Sequence, residues 1–263
     1  MTYLDGIVAV HRERVAADGR SRAKVLEQAR RSGAPRPFRA ALAARTGLAL
    51  IAEVKRRSPS KGDLAPELDP AALARRYEAG GATCLSVLTD GPHFGGSSDD
   101  LAAARAAVAV PVLRKDFTVD EVDVCDARLM GADAVLLIVA ALDDAELRAF
   151  TQLAAELDLA ALVEVHDAAE VERALHAGAD LIGVNQRDLM TFAVDTHRAL
   201  DLAAVLPAGV VRVAESGIKG PQDVFALAEG GYDAVLVGES LVTSGDAEAA
   251  AARLVAAGTG RRS

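Results

Sequence analysis

The sequence contains no tryptophan, and aromatic residues make up only 3% of its 263 residues. Hydrophobic residues nevertheless account for 51%, so Ala, Val, Leu and Ile must build the core. A core of this kind suits parallel strands that are covered by helices on both faces. The sequence also lacks any uninterrupted run of 18 apolar residues, which argues against a membrane-spanning helix.

Residues that would indicate disulfides, metal sites or nucleotide cofactors are scarce. Cys84 and Cys125 are the only cysteines and do not have the spacing of a metal site, so no disulfide framework is predicted. The histidines show no H-x-x-x-H pattern, and neither a Walker loop nor a GxGxxG motif occurs. The N-terminal residues MTYLDGIVAVHRERV carry acids and bases early and lack the apolar segment of a signal peptide. We therefore predict a cytoplasmic protein.

Positive charge is in the minority, and lysine is rarer still. The net charge of −9 argues against general nucleic-acid binding. A desolvated lysine can lose its proton whereas an arginine cannot, so the positions at which this chain uses lysine are candidates for proton chemistry. Only five of the 29 basic residues are lysines: Lys24, Lys55, Lys61, Lys115 and Lys219.

Eight short, nearly continuously apolar runs follow residue 47, as expected of strands that are buried on both faces. They are LALIAEVK (48–55), CLSVLT (84–89), VPVLRKDF (110–117), DAVLLIV (133–139), LAALVEVH (159–166), DLIGVN (180–185), VVRVAE (210–215) and DAVLVG (233–238).

Ala-rich helical runs with polar starts and glycine near their ends separate these strands. Asp69 is a good N-cap with Pro70 at the first helical position, and that run ends at Gly80-Gly81. Similar phrases recur before the strands, as in GGATCLSV, GADAVLL, GADLIGV and GGYDAVLV, which indicates one βα unit repeated. Eight units in a chain near the ~250 residues of a complete barrel predict an α/β fold, a single (β/α)8 TIM barrel. An open, doubly wound sheet is the alternative.

The first part of the chain differs from the rest. Residues 1–45 are charged and rich in Ala and Arg, which predicts a helical N-terminal extension of one or two helices before a catalytic barrel of residues 46–263. Its helices could cap the bottom of the barrel or lie over the mouth of the active site, and composition does not decide between these positions.

Charged residues converge on the carboxyl ends of the predicted strands, where such barrels hold their active sites. Glu53 and Lys55 lie two residues apart and therefore on one face of a strand. Inward charges are unfavourable unless they are paired, so the set is either catalytic or a structural salt-bridge network. Its members are Glu53, Lys55, Lys115, Glu164, Asn185, Arg187 and Glu215.

The loops after the seventh and eighth strands predict a phosphate site. Barrels often bind phosphate there on backbone N–H groups, and Ser216-Gly217 and Gly238-Glu239 supply small residues at both places. Glu239 would serve through its backbone N–H, with the side chain turned away. Ser58 belongs to the long loop 56–69, which is either a mobile lid over an anionic substrate or an ordinary surface loop.

Motifs through nearly the whole chain resemble the indole-3-glycerol-phosphate synthases of tryptophan biosynthesis. The most specific are IAEVK…SPSKG and KDF, while VAESG alone would fit several phosphate-binding barrels. The matching segments are IAEVKRRSPSKG (51–62), SVLTD (86–90), VLRKDF (112–117), LVEVH (162–166), GVNQRDL (183–189) and VAESGI (213–218).

The resemblance implies that 1-(2-carboxyphenylamino)-1-deoxyribulose 5-phosphate is converted to indole-3-glycerol phosphate, CO2 and water, without cofactor or metal. It also implies contact with a small phosphorylated substrate rather than with nucleic acid or a membrane. Contact with other enzymes of the tryptophan pathway stays open.

The resemblance also implies roles for single residues. Lys115 matches the general acid at the ketone oxygen, Glu164 and Lys55 match the groups of later proton transfers, and Glu53 matches a carboxylate that orients the lysines. The remaining matches are Asn185 and Arg187 as substrate anchors, Ser58 in the lid, Glu215, Ser216, Gly217, Gly238 and Glu239 at the hydroxyl and phosphate end, and Phe94, Phe117 and Leu136 around the anthranilate ring.

The segment GPHFGGSSDD (91–100) departs from the family pattern, with His93 where a second aromatic residue is expected and Gly95 where Gln is frequent. The departure bears on aromatic packing and not on the reaction.

Two other interpretations remain open. One is a different phosphate-binding barrel, such as a phosphoribosylanthranilate isomerase or a relative of thiamine-phosphate synthase. An isomerase of that kind would need a Cys/Asp acid–base pair, but Cys84 opens a strand and Cys125 lies in a helix-like run. The other interpretation is a non-enzymatic barrel that only binds a sugar phosphate or acts as a scaffold, in which Lys115 would not matter.

Overall fold

Eight parallel strands close into a barrel in a computed structural model that describes residues 2–188 and 191–259. The first strand (Ala49–Val54) pairs with both the second (Cys84–Leu88) and the eighth (Ala234–Val237), so the sheet has no free edge. The predicted (β/α)8 barrel is confirmed, and the open-sheet alternative is wrong. The strands are β1 (Ala49–Val54), β2 (Cys84–Leu88), β3 (Val112–Lys115), β4 (Ala134–Ile138), β5 (Ala160–Val165), β6 (Leu181–Asn185), β7 (Val211–Glu215) and β8 (Ala234–Val237).

Helices follow the strands and form the outer layer. A short hairpin (Arg57–Ser58 with Gly62–Asp63) lies in the loop after β1, and a 3-10 turn (Val139–Ala141) follows β4. The α-helices are α1 (Tyr3–Ala16), α2 (Arg22–Arg31), α3 (Phe38–Ala43), α4 (Pro70–Ala79), α5 (Gly91–Phe94), α6 (Ser98–Ala107), α7 (Glu121–Leu129), α8 (Asp144–Glu156), α9 (Ala168–His176), α10 (Arg198–Ala203), α11 (Pro221–Glu229), α12 (Glu239–Val242) and α13 (Ala247–Gly258).

Capping residues begin and end the helices where the sequence predicts. The Asp69 carboxylate accepts hydrogen bonds from two backbone N–H groups of α4, and Pro70 is the first helical residue. After α4 the chain turns at Gly81, whose φ of +89° is a conformation that glycine adopts without a steric penalty. These local signals explain why the helix and strand order was readable from the sequence.

Side chains along each strand point alternately into the barrel and toward the outer helices. Both environments are apolar, which explains the continuous apolar runs in the sequence. In β4, Ala134, Leu136 and Ile138 pack inside the barrel, while Val135 and Leu137 pack against the outer helices. Both faces are therefore buried, and a strand cannot show the polar alternation of a half-exposed one. Inward residues at the carboxyl ends are consequently free to be polar, because they face the mouth of the barrel.

The N-terminal extension covers both ends of the barrel, and it holds three helices rather than one or two. At the mouth, Leu4 and Ile7 of α1 line the central cavity. At the bottom, Phe38 of α3 is buried, and its carbonyl oxygen lies 3.9 Å from the Cys84 Sγ at the start of β2. Each of the two positions considered from the sequence is therefore occupied, by a different helix.

Some predicted positions lie outside the described residues, namely Leu189 at the end of the GVNQRDL motif and the chain ends at 1 and 263. Among residues 2–188 and 191–259, no helix is both long and apolar enough to cross a membrane.

Candidate active site

A cavity of about 810 Å³ opens at the carboxyl ends of the strands. Parallel strands bring these ends to one rim, which is why residues far apart in the sequence meet there. Every residue predicted from the sequence to belong to the site lines the cavity: Glu53, Lys55, Ser58, Phe94, Lys115, Phe117, Leu136, Glu164, Asn185, Arg187, Glu215, Ser216, Gly217, Gly238 and Glu239.

Lys115 ends β3 and points its ammonium between two acidic side chains. Its Nζ lies 3.3 Å from Glu164 Oε2 and 3.8 Å from Glu215 Oε2. Burial by itself lowers the pKa of a lysine, but the neighbouring acidic groups outweigh this effect and raise the pKa of Lys115 above its usual value. Lys115 is therefore an ammonium at neutral pH and can present charge and a proton to a substrate oxygen.

Glu164, on β5, is held by donors on several sides. Its Oε1 accepts a hydrogen bond from Asn185 Nδ2 at 3.0 Å, and its Oε2 accepts one from Lys115. Burial raises the pKa of the carboxyl, but the charges of Lys115 and His166 and the Asn185 hydrogen bond together lower it below its usual value. Glu164 is consequently a carboxylate with a fixed orientation.

Glu215, at the end of β7, has a raised pKa, in contrast to Glu164. Its Oε1 is buried and has no hydrogen-bond partner among the described residues. Burial, followed by the negative charge of Glu164, raises the pKa of Glu215 to about 8. A side chain at Gly183 would overlap the Glu215 carboxyl, so this glycine makes room for it. Two acids driven to different protonation states are the usual arrangement of an acid–base pair.

Glu53 and Lys55 form a second charged pair on β1. The Lys55 Nζ lies 2.7 Å from Glu53 Oε1, and Ser86 Oγ donates to Glu53 Oε2 at 3.3 Å. A Cβ at Gly238 would lie 2.5 Å from Glu53 Oε1 and 3.0 Å from Lys55 Nζ. A glycine is therefore needed at position 238, because the chain after β8 approaches this charged pair closely. This reason is separate from the predicted position of Gly238 near the phosphate.

Asn185 ends β6, and Arg187 lies two residues further along the chain. The Asn185 Oδ1 accepts a hydrogen bond from the Arg187 backbone N–H at 3.0 Å. The Arg187 guanidinium donates to the Phe192 carbonyl oxygen at 3.1 Å and lies 4.0 Å from Glu239 Oε2. Arg187 thus reaches across the mouth toward the side of the predicted phosphate site.

The backbone at Ser216-Gly217 forms a turn at the predicted phosphate site. Both residues have positive φ, +65° and +73°, and the Ser216 carbonyl oxygen accepts a hydrogen bond from Gln186 Nε2 at 2.8 Å. With its carbonyl group held by Gln186, the turn exposes small residues to the cavity. Glu239 begins α12 with its side chain 40% exposed and its Oε2 4.0 Å from the Arg187 guanidinium, and its contact with phosphate through the backbone N–H stays a prediction.

Replacing Gly217 by alanine is expected to raise the KM for a phosphorylated substrate about tenfold. A Cβ there would lie 2.6 Å from Val194 Cγ1, and a non-glycine residue at positive φ loses ~1–2 kcal/mol. Steady-state kinetics measure the effect. Gly209→Ala is the control, because Gly209 also has positive φ with nothing within 4 Å of its Cβ position. Equal KM changes in both variants would contradict a phosphate site at Gly217.

Apolar side chains form the other wall of the cavity. Phe94 and Phe117 lie with ring centroids 6.3 Å apart, and Leu136 lines the cavity with them. The departure at His93 is compensated locally, because its ring packs edge-on against Tyr3 at 6.0 Å. An aromatic contact is thus retained beside Phe94, although the partner comes from the N-terminal extension.

Part of the cavity wall was not predicted. Tyr3, Leu4 and Ile7 come from α1, and Phe192 from the loop after β6 packs against the Tyr3 ring at 4.9 Å. The apolar start of α1 is a signal in the sequence, but nothing in it shows which end of the barrel α1 covers. Ser58 also lines the cavity from the hairpin after β1; its Oγ is buried and has no hydrogen-bond partner in the part of the chain that is described.

His11, Asp90 and Asp116 are close enough together to hold a metal ion. Asp90 instead accepts from His11 Nε2 at 3.0 Å and from the backbone N–H of His93. The Asp116 carboxylate accepts from Arg114 and from the Phe117 backbone N–H. Since these carboxylates already have donors, the cluster is explained without a cation.

Sequence comparisons assign a family to this arrangement. The family model described as indole-3-glycerol phosphate synthase matches residues 4–254. A protein of that name from Mycolicibacterium vanbaalenii is 54% identical over 259 residues, which cover 98% of this chain and 95% of the relative. One from Kineococcus radiotolerans is 52% identical over 264 residues, which cover 98% of this chain and 96% of the relative.

Solved structures support the fold. Thiamine phosphate pyrophosphorylase from Pyrococcus furiosus superposes with a TM-score of 0.62 at 18% identity, covering 81% of this chain and 96% of that one. A 3-hexulose-6-phosphate synthase superposes with a TM-score of 0.62 at 18% identity, covering 80% of this chain and 99% of that one. At this identity the likeness shows a shared barrel and nothing about substrate.

Proposed function

The chain belongs to the indole-3-glycerol phosphate synthase family, and from this premise we propose how its rim residues divide the chemistry. The enzyme is a carboxy-lyase of tryptophan biosynthesis. It closes the ring of 1-(2-carboxyphenylamino)-1-deoxyribulose 5-phosphate with loss of CO2 and water, giving indole-3-glycerol phosphate. The observation that carries the division of roles is the position of the Lys115 Nζ, 3.3 Å from Glu164 Oε2 and 3.8 Å from Glu215 Oε2. The surroundings lower the pKa of Glu164 and raise that of Glu215 to about 8.

Lys115 acts in the ring-closing step. A ring carbon attacks the substrate ketone, and negative charge develops on the ketone oxygen as the C–C bond forms. An ammonium within a water-excluding cavity stabilises that charge and supplies the proton. Glu164 lies 3.3 Å from the Lys115 Nζ, so the carboxylate keeps the lysine charged and oriented toward the oxygen.

Loss of CO2 restores the aromatic ring and is favoured where the carboxylate loses its hydration. Phe94, Phe117 and Leu136 supply apolar surface, and Leu4 and Ile7 of α1 extend that wall. A carboxylate held against such a wall loses the hydration that stabilises its charge, whereas CO2 is uncharged and needs little hydration. Desolvation therefore favours the loss of CO2. The anthranilate ring is therefore assigned to this side of the cavity, opposite the Ser216-Gly217 turn.

Dehydration needs an acid for the departing hydroxyl group and a base for a proton. A protonated Glu215 can donate to a hydroxyl, which an ionised carboxylate cannot. Glu164 and the Lys55–Glu53 pair supply groups for the remaining proton transfers, and Asn185 and Arg187 anchor the substrate. The phosphate is assigned to the backbone of Ser216-Gly217 and Gly238-Glu239, with Ser58 closing over it from the hairpin after β1.

The protonation state of Glu215 gives a pH prediction. If the acid form is required, kcat/KM falls as pH rises through about 8, and Glu215→Gln both lowers kcat and removes this alkaline limb. The kinetics are measured between pH 6 and 10. A Glu215→Gln enzyme with the wild-type limb would contradict the assignment.

The same group affects stability in a defined direction. The folded protein binds the Glu215 proton up to a pKa of about 8, whereas the ordinary value is 4.5. Because the folded state binds more protons than the unfolded state between these values, the unfolding free energy decreases as pH rises through this window. Urea unfolding should show a shallower decrease for Glu215→Gln than for the wild type.

The function itself is tested by mixing purified protein with the carboxyphenylamino-deoxyribulose phosphate and recording indole fluorescence, with and without a metal chelator. Equal formation of indole-3-glycerol phosphate in both samples is expected. A folded protein that forms no indole would contradict the function.

A cytoplasmic location, and the absence of nucleic-acid and membrane partners, are also part of the proposal. The net charge of −9 and two cysteines that form no disulfide support them.

The isomerase alternative lacks support, since Cys84 is buried at the opposite end of the barrel beside Phe38. Contact with other tryptophan-pathway enzymes remains a prediction.

A further inference from the structure

His166 lies directly after β5, two residues beyond Glu164, and the roles proposed above do not use it. Its side chain is only 13% exposed and is enclosed between two acids. Nε2 lies 3.6 Å from Glu164 Oε1, and Nδ1 lies 3.1 Å from Glu170 Oε2. The imidazole therefore bridges the catalytic strand and the first turn of α9.

Glu170 determines which ring nitrogen carries a proton. Its Oε2 accepts a hydrogen bond from the His166 backbone N–H at 2.7 Å and faces Nδ1 of the same residue. An ionised carboxylate offers only acceptors, so Nδ1 must be the donor. The backbone hydrogen bond holds Glu170 Oε2 in place, and the Nδ1 hydrogen bond to the same oxygen atom orients the ring.

The second ring nitrogen then faces Glu164. His166 Nε2 is buried and has no hydrogen-bond partner among the described residues. A neutral imidazole would direct a lone pair at the Glu164 carboxylate, which is repulsive, whereas an imidazolium directs an N–H at it. At 3.6 Å the interaction is one of charge rather than a full hydrogen bond. The arrangement therefore favours the cationic ring.

We propose that His166, oriented by Glu170, is a positioning residue that keeps Glu164 ionised and correctly directed for ring closure. This inference rests on the proposed function, because it extends the role of Glu164. The line Glu170–His166–Glu164 stabilises the carboxylate from the side opposite Lys115. It allows the site to retain a working carboxylate in a buried position where burial alone would protonate it.

The charged groups around both side chains agree with this role. Burial lowers the pKa of His166, but the hydrogen bond to Glu170 and the charges of Glu164 and Glu170 outweigh it and raise the pKa, against the opposing charge of Arg198 from α10. Around Glu164, Lys115 contributes positive charge from β3. Glu215 from β7 and Glu53 from β1 complete the acidic set around Lys115.

The kinetic test compares His166→Gln, Glu170→Gln and the wild type between pH 3 and 9, because the Glu164 pKa lies below its usual value of 4.5. Loss of an opposite charge at this distance raises a carboxyl pKa by about one unit or more. His166→Gln is therefore expected to move the acidic limb of kcat/KM upward by about one pH unit, with a smaller shift in the same direction for Glu170→Gln. His176→Gln is the matched control, since His176 is an exposed residue at the end of α9, and its profile should match the wild type.

A direct measurement does not depend on activity or on the folding of a variant. Histidine ¹⁵N NMR of the wild-type protein should show a His166 ring that stays doubly protonated above pH 6.5, the ordinary pKa of an imidazole. A neutral His166 near pH 6, or an acidic limb in folded His166→Gln that coincides with the wild type, would overturn the proposal. A wild type that forms no indole at any pH would instead overturn the proposed function, and the NMR titration would still decide the His166–Glu164 pairing.

Discussion

Lys115→Ala is expected to lower kcat/KM for indole-3-glycerol phosphate formation by at least ~10²-fold, within the ~10²–10⁴-fold usual for a general acid. The substitution removes the ammonium that lies 3.3 Å from Glu164 and 3.8 Å from Glu215. Without it, β3 places no positively charged group in the cavity to stabilise the negative charge that develops on the ketone oxygen. The loss should fall on kcat more than on KM, because the charge exists mainly in the transition state.

Two further variants separate proton donation from charge and from general damage. Lys115→Arg keeps a positive charge but cannot release its proton, so we expect it to remain severely impaired. Lys24→Ala removes an exposed lysine of α2 outside the cavity and should leave the kinetics unchanged. Near-wild-type turnover by folded Lys115→Ala would contradict the general-acid role and revive the interpretation of the rim as a salt-bridge network.

Asp133→Ala is expected to lower the unfolding free energy by about 3–5 kcal/mol, while kcat of the folded variant stays near that of the wild type. Asp133 is fully buried at the bottom of the barrel, before β4. Its carboxylate accepts from the backbone N–H groups of Arg36 and Val112 and from the Arg105 guanidinium, at 2.7, 2.9 and 2.9 Å. Removing it leaves these donors unpaired and detaches the segment before α3.

The control for Asp133 is an ion pair at the same end of the barrel that is open to water. Asp180 lies 2.7 Å from Arg39, but its side chain is 64% exposed, so Asp180→Ala should lose less than ~1 kcal/mol. Urea unfolding measures both variants. Similar losses would show that the Asp133 network does not stabilise the bottom, and a lost kcat in Asp133→Ala would show that the two ends are not independent.

The barrel and the rim were predictable from the sequence for a common reason. Strands buried on both faces appear as apolar runs, and glycine and capping residues mark the joins, as at Asp69 and Gly81. Parallel strands then bring their carboxyl ends together without further information. A polar residue at the end of an apolar run, such as Lys115 or Glu215, could therefore be assigned to one site although the two lie in different strands.

Features that depend on packing between distant segments were not predictable. α1 and α3 both combine apolar residues with arginine, and only contacts with the barrel decide that Ile7 reaches the mouth while Phe38 closes the bottom. Gly238 resembled a phosphate-loop glycine, but its approach to Glu53 and Lys55 appears only in three dimensions. His166 has no ligand-like spacing in the sequence, and its significance comes from the positions of two acids on either side.

The most direct test of the account is to give the purified enzyme a substrate whose carboxyl group carries ¹³C and to follow labelled CO2 and indole-3-glycerol phosphate together. The account predicts one labelled CO2 for each indole formed, with both rates reduced to the same extent in Lys115→Ala. Indole formation without release of the label, or release that does not depend on Lys115, would contradict ring closure and decarboxylation at this rim.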